Sequence, residues 1–144
     1  MKIAIGCDHA GFELKEKLVA YLKEKQFNIE DVGTYSLESV DYPDFAHKVG
    51  KMVNEREATF GIVVCGSANG VNMVVNKYAN VRSALCWKKE IAELARQHND
   101  ANVLALPARY LSMEDAKEIV DAFFSSMFEG GRHATRVEKI KNIL

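Results

Sequence analysis

The sequence lacks the features that would tie it to a membrane, to nucleic acid or to an oxidising compartment. Its 144 residues carry a formal net charge of -1, so no excess of one sign favours nucleic acid or a membrane surface. The apolar run near the N-terminus, in MKIAIGCDHAG, lasts only a few residues and predicts neither a signal peptide nor a membrane span. The three cysteines form no C-x-x-C pair, which argues against a disulfide framework or a zinc ribbon. These absences favour a cytoplasmic protein with reduced thiols.

The chain also lacks an internal repeat, a low-complexity tract and a linker, so residues 1–144 are expected to form a single domain. Short apolar segments alternate with amphipathic ones, which predicts strands at 2–6, 28–33, 60–66, 81–87 and 101–106. Helices are predicted at 12–25, 43–57, after residue 66, and at 88–97, 113–128 and 132–144. Right-handed crossovers then give an α/β fold, namely a three-layer α/β/α, Rossmann-like arrangement with a five-stranded parallel sheet and a C-terminal helix.

The carboxyl ends of two predicted strands carry reactive side chains. Ligands of open α/β sheets bind beyond these ends, which selects Gly6-Cys7-Asp8-His9 after the first strand and Cys65-Gly66-Ser67 after the third. A free cysteine is more often a core residue. A thiol that faces the first amides of a helix, however, is expected to have a lowered pKa and can act as a nucleophile or a base. The small-residue loop 66–70 could direct its N–H groups and the Ser67 hydroxyl at a developing oxyanion, or be only a tight turn.

The residues in and after this strand disfavour three better-known loops. A phosphate-binding P-loop requires G-x-x-x-x-G-K-[ST], and the segment 61–67 reads GIVVCGS without a lysine. A C-x5-R phosphatase requires an arginine where Val71 stands, and a phosphorelay receiver requires an aspartate where Cys65 stands. None of the three activities is therefore expected.

Other candidate residues have a structural and a functional interpretation. Asp8 is more often a helix cap than a catalyst, and His98, at a predicted helix end, can simply complement the helix dipole. Arg132 and Arg136 lie four residues apart and, with His133, could clamp a phosphate, although a basic helix face is more often just solvated.

Seven blocks in collinear order carry a family resemblance: GCDHAG at 6–11, VDYPD at 40–44, CGSANG at 65–70, NK at 76–77, ALCW at 84–87, ARQHNDANVL at 95–104 and FEGGRHATRV at 128–137. Together they resemble the type B ribose-5-phosphate isomerases, a family that includes galactose-6-phosphate isomerase subunits and allose-6-phosphate isomerases. The resemblance implies an aldose–ketose isomerase of the pentose phosphate pathway that needs no metal and no organic cofactor. It also implies a homodimer or a dimer of dimers, because family members build each site from two chains.

The resemblance assigns roles to individual residues. Cys65 looks like the base that moves a proton between C1 and C2, Ser67 and the amides of the loop that includes Gly66 and Gly70 would hold the enediolate oxygen, and His98 would open the sugar ring. The substrate-binding set implied by the family comprises Asp8, His9, Tyr42, Gly66, Gly70, Asn99, Arg109, Arg132 and Arg136.

The chain departs from the family loop, which is close to C-G-T-G-x-G, at two positions. Ser67 replaces threonine and keeps the hydroxyl, whereas Ala68 replaces glycine, which is expected only if the backbone there avoids positive φ. Some relatives use a glutamate as the base where Val71 stands, so Cys65 is the base that is available here.

Three functions remain open: a pentose 5-phosphate isomerase, an isomerase of allose or galactose 6-phosphate, and a non-catalytic sugar-phosphate- or nucleotide-binding module.

Overall fold

The computed structural model describes residues 1–141, in which five short strands form one parallel sheet. The strands are β1 (Lys2–Cys7), β2 (Asn28–Asp31), β3 (Phe60–Cys65), β4 (Ser83–Leu85) and β5 (Val103–Pro107). β-Branched and other apolar residues fill β3 and β5, as expected for strands covered on both faces. The predicted five-stranded parallel sheet is confirmed.

Six α-helices connect or follow the strands in the described part of the chain: α1 (Phe12–Glu24), α2 (Tyr42–Asn54), α3 (Asn69–Val75), α4 (Lys89–Asn99), α5 (Met113–Ser125) and α6 (Arg132–Lys141). Short 3-10 helices precede α1 at His9–Gly11 and follow β5 at Ala108–Tyr110. None of the helices within residues 1–141 is long and apolar enough to cross a membrane.

The strand order β2-β1-β3-β5-β4 fixes where a ligand can enter. The chain steps outward from β1 to β2 and then returns to the other side of β1 with β3, so the order reverses between β1 and β3. Their register pairs Cys7 with Val64 and places the loops that follow both strands side by side. Crevices of this kind, at a topological switch point, are the usual ligand sites of open α/β sheets.

Two apolar layers cover the sheet. Alternate strand residues point to opposite faces, so Ile5 and Val64 pack with α1, α4 and α5, while Val63 and Cys65 pack with α2 and α3. Cys65 therefore lies on the α2–α3 face of the sheet and Cys7 on the other. This arrangement is the predicted three-layer α/β/α fold, with α6 packed against α4.

Several predicted boundaries differ from the structure for local reasons. β4 spans three residues instead of the predicted 81–87. α2 begins at Tyr42 and ends at Asn54, because Arg56 adopts a left-handed φ of 62° that a helix cannot continue. α5 ends at Ser125, because Ser126 is extended. The last three residues of the predicted final helix, 142–144, lie outside the described residues.

Candidate active site

A cavity of about 440 Å³ opens at the switch point between β1 and β3. Eight of the predicted site residues line it, and Ala10 and Tyr110 complete the wall. The eight residues come from the loop after β1 and the 3-10 helix that follows it, the start of α2, the end of β3 and the loop after it, the start of α3, and the 3-10 helix after β5: Asp8, His9, Tyr42, Cys65, Gly66, Ser67, Gly70 and Arg109. A thiol and a guanidinium group thus share one pocket at the carboxyl edge of the sheet.

Cys65 is the last residue of β3; it is buried, with 6% of the residue exposed, and it borders this cavity. Burial raises the pKa of the thiol above its ordinary value of 9.0, whereas the N–H groups of Ala68, Val71 and Ser67 lower it and the carboxylate of Asp8 raises it. The net direction is upward, so the sequence-based expectation of a lowered pKa is wrong: burial outweighs the amides. The sulfur nevertheless lies among N–H groups that favour its thiolate form.

Cys7 and Cys86 are core residues, as a cysteine usually is. Each is at most 1% exposed, and burial raises the pKa of both thiols to about 12. Cys65 lines the cavity at the switch point, whereas Cys7 and Cys86 belong to the buried core on the other face of the sheet.

The loop that follows β3 turns sharply at Ala68. Ala68 adopts a left-handed conformation with φ 63° and ψ 0°, so the expectation that alanine requires a backbone without positive φ is wrong. Such a conformation costs a non-glycine residue about 1 kcal/mol, and the methyl group is fully buried in the core on the α2–α3 face. Ser67 is exposed; its Oγ accepts a hydrogen bond from the Asn69 N–H at 3.4 Å and keeps its O–H free to donate.

Two glycines after β3, Gly66 in the loop and Gly70 in the first turn of α3, allow side chains from other elements to approach closely. A Cβ on Gly66 would lie 2.9 Å from a guanidinium nitrogen of Arg109, and a Cβ on Gly70 would lie 2.3 Å from the ring of Tyr42. Both separations are too short for a real side chain. Glycine at these positions therefore lets Arg109 and Tyr42 form the walls of the cavity.

The loop after β1 supplies one cap and one potential donor. Asp8 is buried, and its Oδ1 accepts a hydrogen bond from the Gly11 N–H at 3.1 Å, which confirms the cap interpretation of this residue. Nδ1 of His9 accepts a hydrogen bond from the Val40 N–H at 3.2 Å, so a proton on the neutral imidazole belongs on Nε2. His9 also lines the cavity.

The remaining predicted residues lie elsewhere on the chain. His98 and Asn99 end α4, Arg132 and Arg136 lie in the first two turns of α6, and none of these four residues lines the cavity of Cys65. Asn99 and both arginines are exposed, and the side chain of His98 is 38% exposed. One chain therefore presents two separate groups, one around Cys65 and one where α4 meets α6.

The second group, where α4 meets α6, also contains Glu129 and His133, to which the resemblance assigned no role. The rings of His98 and His133 stack with centroids 4.2 Å apart, and Oε1 of Glu129 lies 3.6 Å from Nε2 of each. Burial lowers the pKa of His133 from its ordinary value of 6.5, and the nearby His98 and Arg132 lower it further. Only His133, as part of a basic cluster, was singled out by the sequence.

Tyr110 and Ala10 were missed in the first group although a signal for Tyr110 existed. β5 pairs with β3 so that Pro107 lies beside Cys65, and the residues after β5 therefore meet the same edge of the sheet. The rule that selected the ends of the first and third strands would have selected Tyr110 if the strand order had been known.

Comparison with known proteins identifies the group to which the chain is similar. The family model described as Ribose/Galactose Isomerase matches residues 3–140. Ribose-5-phosphate isomerase B of Escherichia coli is 46% identical over 142 residues, which cover 99% of this chain and 95% of that protein.

Solved structures agree with these sequence matches. The ribose 5-phosphate isomerase of Thermotoga maritima superposes with a TM-score of 0.96 at 51% identity, covering 99% of this chain and 98% of that one. Ribose-5-phosphate isomerase B of Mycoplasma genitalium, solved with bound ribulose-5-phosphate, has a TM-score of 0.94 at 43% identity, covering 97% and 93%. The resemblance seen in the sequence is confirmed, and the chain belongs to the ribose/galactose isomerase family, among the type B ribose-5-phosphate isomerases.

Proposed function

We propose that this chain is an aldose–ketose isomerase that interconverts D-ribose 5-phosphate and D-ribulose 5-phosphate. The observation that carries the proposal is the cavity at the switch point, in which the Cys65 sulfur, the loop amides and Arg109 lie together. The relatives named ribose-5-phosphate isomerase B, one of them solved with ribulose-5-phosphate, support this choice of substrate.

Isomerisation moves one proton between neighbouring carbons. In the open-chain aldose, the Cys65 thiolate takes the proton from C2, the C–H electrons form a C1–C2 double bond, and the C1 carbonyl oxygen becomes an oxyanion. Return of the proton to C1, with transfer of the C2 hydroxyl proton to O1, gives the ketose. The C2 proton is weakly acidic, so the developing oxyanion needs donors, which we assign to the Ser67 hydroxyl and the amides of loop 66–70.

The phosphate and the closed ring require further groups. We assign the phosphate to His9 and Arg109 of one chain together with Arg132 and Arg136 of a second chain, and ring opening to His98 of that second chain. Asp8, Tyr42 and Asn99 would contact sugar hydroxyls or orient their neighbours. Since His98, Arg132 and Arg136 lie outside the cavity of their own chain, a homodimer or a dimer of dimers would complete each site.

The broader setting follows from the same assignment. Residues 1–144 would act as a single sugar-phosphate isomerase domain in the cytoplasm, and the reaction as written uses no organic cofactor and no metal ion. In this reaction the Ser67 hydroxyl and the loop amides polarise the carbonyl group, and the Cys65 thiol transfers the proton.

The experiment is an isomerase assay with three substrates and one pair of variants. Purified protein is incubated with ribose 5-phosphate, allose 6-phosphate or galactose 6-phosphate in the presence of a chelator, and ketose formation is followed. We expect turnover of the pentose and none for Cys65→Ala, while the matched Cys86→Ala variant, altered at a buried thiol away from the cavity, stays active. Turnover of a hexose phosphate alone would reassign the substrate, and binding without turnover would make the protein a sugar-phosphate-binding module.

A further inference from the structure

Three metal-ligating side chains converge where α4 meets α6. Their ligand atoms, the ring nitrogens of His98 and His133 and a carboxylate oxygen of Glu129, all lie within 4.8 Å of one another. Oε1 of Glu129 is 3.6 Å from Nε2 of each histidine, which makes it the centre of the group. Among residues 1–141 this is the one such group of three that meets this distance.

The backbone holds the three residues together. His98 lies in the last turn of α4, and Glu129 is tied to the same turn because its N–H donates to the Gln97 carbonyl at 3.0 Å. Gly130 and Gly131 then reverse the chain with φ values of 68° and 58°, and the His133 N–H donates to the Gly130 carbonyl at 3.1 Å. The side chain of His133 is only 11% exposed, so its ring is held by packing against His98.

We propose that His98, Glu129 and His133 bind a divalent ion of the zinc class, and that this ion inhibits the isomerase by occupying His98. Two imidazoles and one carboxylate are a ligand set that suits zinc or cobalt and not magnesium or calcium, which prefer oxygen. In a tetrahedral zinc site neighbouring ligand atoms lie about 3.4 Å apart, close to the distance that already separates Glu129 from each histidine. A fourth position would stay open to water or to a ligand oxygen.

Two features limit the affinity of this group. The rings of His98 and His133 are nearly parallel, at 10°, so they must tilt before both nitrogens can point at one ion. Arg132 and Arg136 lie close enough to His133 to lower its pKa, and their charges also repel a cation. The site should therefore bind zinc less tightly than a structural four-ligand site does, and fill or empty as the free metal concentration changes.

The inhibitory consequence rests on the proposed function, whereas the metal binding does not. If His98 opens the sugar ring, an ion on its imidazole removes that group from the reaction. The ion would also lie beside Arg132 and Arg136, which we assign to the phosphate. Metal binding and turnover should therefore compete.

The binding experiment uses the purified, metal-free full chain titrated with Co²⁺, whose visible absorption reports tetrahedral nitrogen and oxygen ligation, and with Zn²⁺ in a calorimeter. Glu129→Gln removes the central carboxylate oxygen at nearly constant size, and Cys65→Ser removes the thiol that lines the cavity at the switch point. We expect one ion per chain in the wild type, at least tenfold weaker binding in Glu129→Gln and unchanged binding in Cys65→Ser. No binding, or loss of binding in Cys65→Ser alone, would overturn the proposal.

The activity experiment separates this proposal from the function on which it depends. Zn²⁺ is added to wild type and to Glu129→Gln, and each rate is divided by the rate of the same protein in chelator. We expect the wild type to be inhibited reversibly and Glu129→Gln to require at least tenfold more zinc. Absence of turnover even in chelator would refute the isomerase while the binding data still decide the metal site. Normal turnover without zinc inhibition would refute the inhibitory role alone.

Discussion

At the scale of the residue, the reactivity of Cys65 is set by opposing neighbours. Burial raises the pKa of the thiol, the N–H groups of Ala68, Val71 and Ser67 lower it, and the carboxylate of Asp8 raises it. At neutral pH the free protein therefore holds mostly the protonated thiol, and the thiolate fraction grows as the pH rises toward a pKa above 9.0. A substrate that removes water or adds positive charge beside the sulfur would change the fraction of Cys65 that is present as thiolate.

Asp8→Asn should lower the pKa of Cys65. The change removes a negative charge near the sulfur, while the amide oxygen of asparagine can still accept the cap hydrogen bond from Gly11. We expect the pH midpoint for iodoacetamide alkylation to fall relative to wild type, so that alkylation at pH 8 is faster in the variant. Cys65→Ser gives the background, because Cys7 and Cys86 have pKa values of about 12 and stay protonated. An unchanged or higher midpoint would contradict the charge effect.

Residue identity alone could not give the pKa of Cys65 or the conformation of Ala68. The sequence shows that Cys65 follows an apolar strand and precedes a loop, from which a helix-terminus effect was expected. The opposing desolvation depends on how deeply the sulfur lies under α2 and α3, which is a property of packing. Similarly, Ala68 takes the left-handed conformation that glycine favours because the turn into α3 imposes it.

At the scale of the element, a buried lysine joins α1 to the end of β2 and to the loop that follows. Nζ of Lys15 donates to both carboxylate oxygens of Asp31 at 2.8 and 2.7 Å and to the Thr34 carbonyl at 2.8 Å, and the side chain is fully buried. The same loop pairs with Cys7 through two backbone hydrogen bonds, from Cys7 N–H to the Gly33 carbonyl and from Thr34 N–H to the Cys7 carbonyl. Lys15 therefore stabilises the segment that leads into Asp8 and His9.

Lys15→Met should destabilise the fold far more than a matched surface change. It leaves the carboxylate of Asp31, 21% exposed, without its buried cation, which costs about 3 kcal/mol when one partner of such a pair is removed. The control is Lys2→Met, because Lys2 and Glu30 form a half-exposed pair worth at most about 1 kcal/mol. Urea unfolding at pH 7 measures both, and equal losses would contradict the role given to Lys15.

The contribution of Lys15 should also depend on pH. Burial lowers the pKa of Lys15, but the hydrogen bonds to Asp31 and Glu16 outweigh it, so the pKa in the folded protein is raised above 10.5. A raised pKa means that the stabilisation is fully present below the pKa of the unfolded chain and is lost as the pH rises through the folded value. The difference in unfolding free energy between wild type and Lys15→Met should therefore stay constant to about pH 10 and shrink above it.

The elements themselves were largely readable from the sequence. Alternating apolar and amphipathic segments predicted all five strands and the order of the helices, because each pattern reflects which face an element buries. The errors lie at the ends, as in β4, which has only three residues, and in α2, which ends before the left-handed Arg56. Both ends depend on tertiary hydrogen bonds or on turn geometry that a hydrophobic pattern does not encode.

At the scale of the whole molecule, the chain carries two separate groups of candidate site residues. The strand-end rule predicted Cys65, Asp8 and His9 as neighbours, and the structure places all three around one cavity. The place of His98 and the two arginines relative to that cavity could not be read from the sequence, because it depends on packing between helices and, as we propose, between chains. Their exposure where α4 meets α6 is what a shared site requires of the isolated chain.

Mixing two inactive variants tests whether the site is shared. If each site takes Cys65 from one chain and His98 from the other, a mixed dimer of Cys65→Ala and His98→Asn contains one site with both native residues and one with neither. Random reassociation of equal amounts should then restore about a quarter of the wild-type activity, since half of the dimers are mixed and each has one intact site.

Ketose formation is measured before mixing, after mixing and after brief dissociation in mild denaturant followed by dilution. A double variant that carries both changes on one chain, mixed with wild type in the same way, forms mixed dimers that have no intact site, so exchange should lower the activity from about one half to about one quarter of that of wild type at the same total concentration, which serves as the control for reassociation. If Cys65 and His98 act within one chain, the two single variants will stay inactive however long they exchange, whereas recovery that requires exchange would show that each chain completes the site of the other.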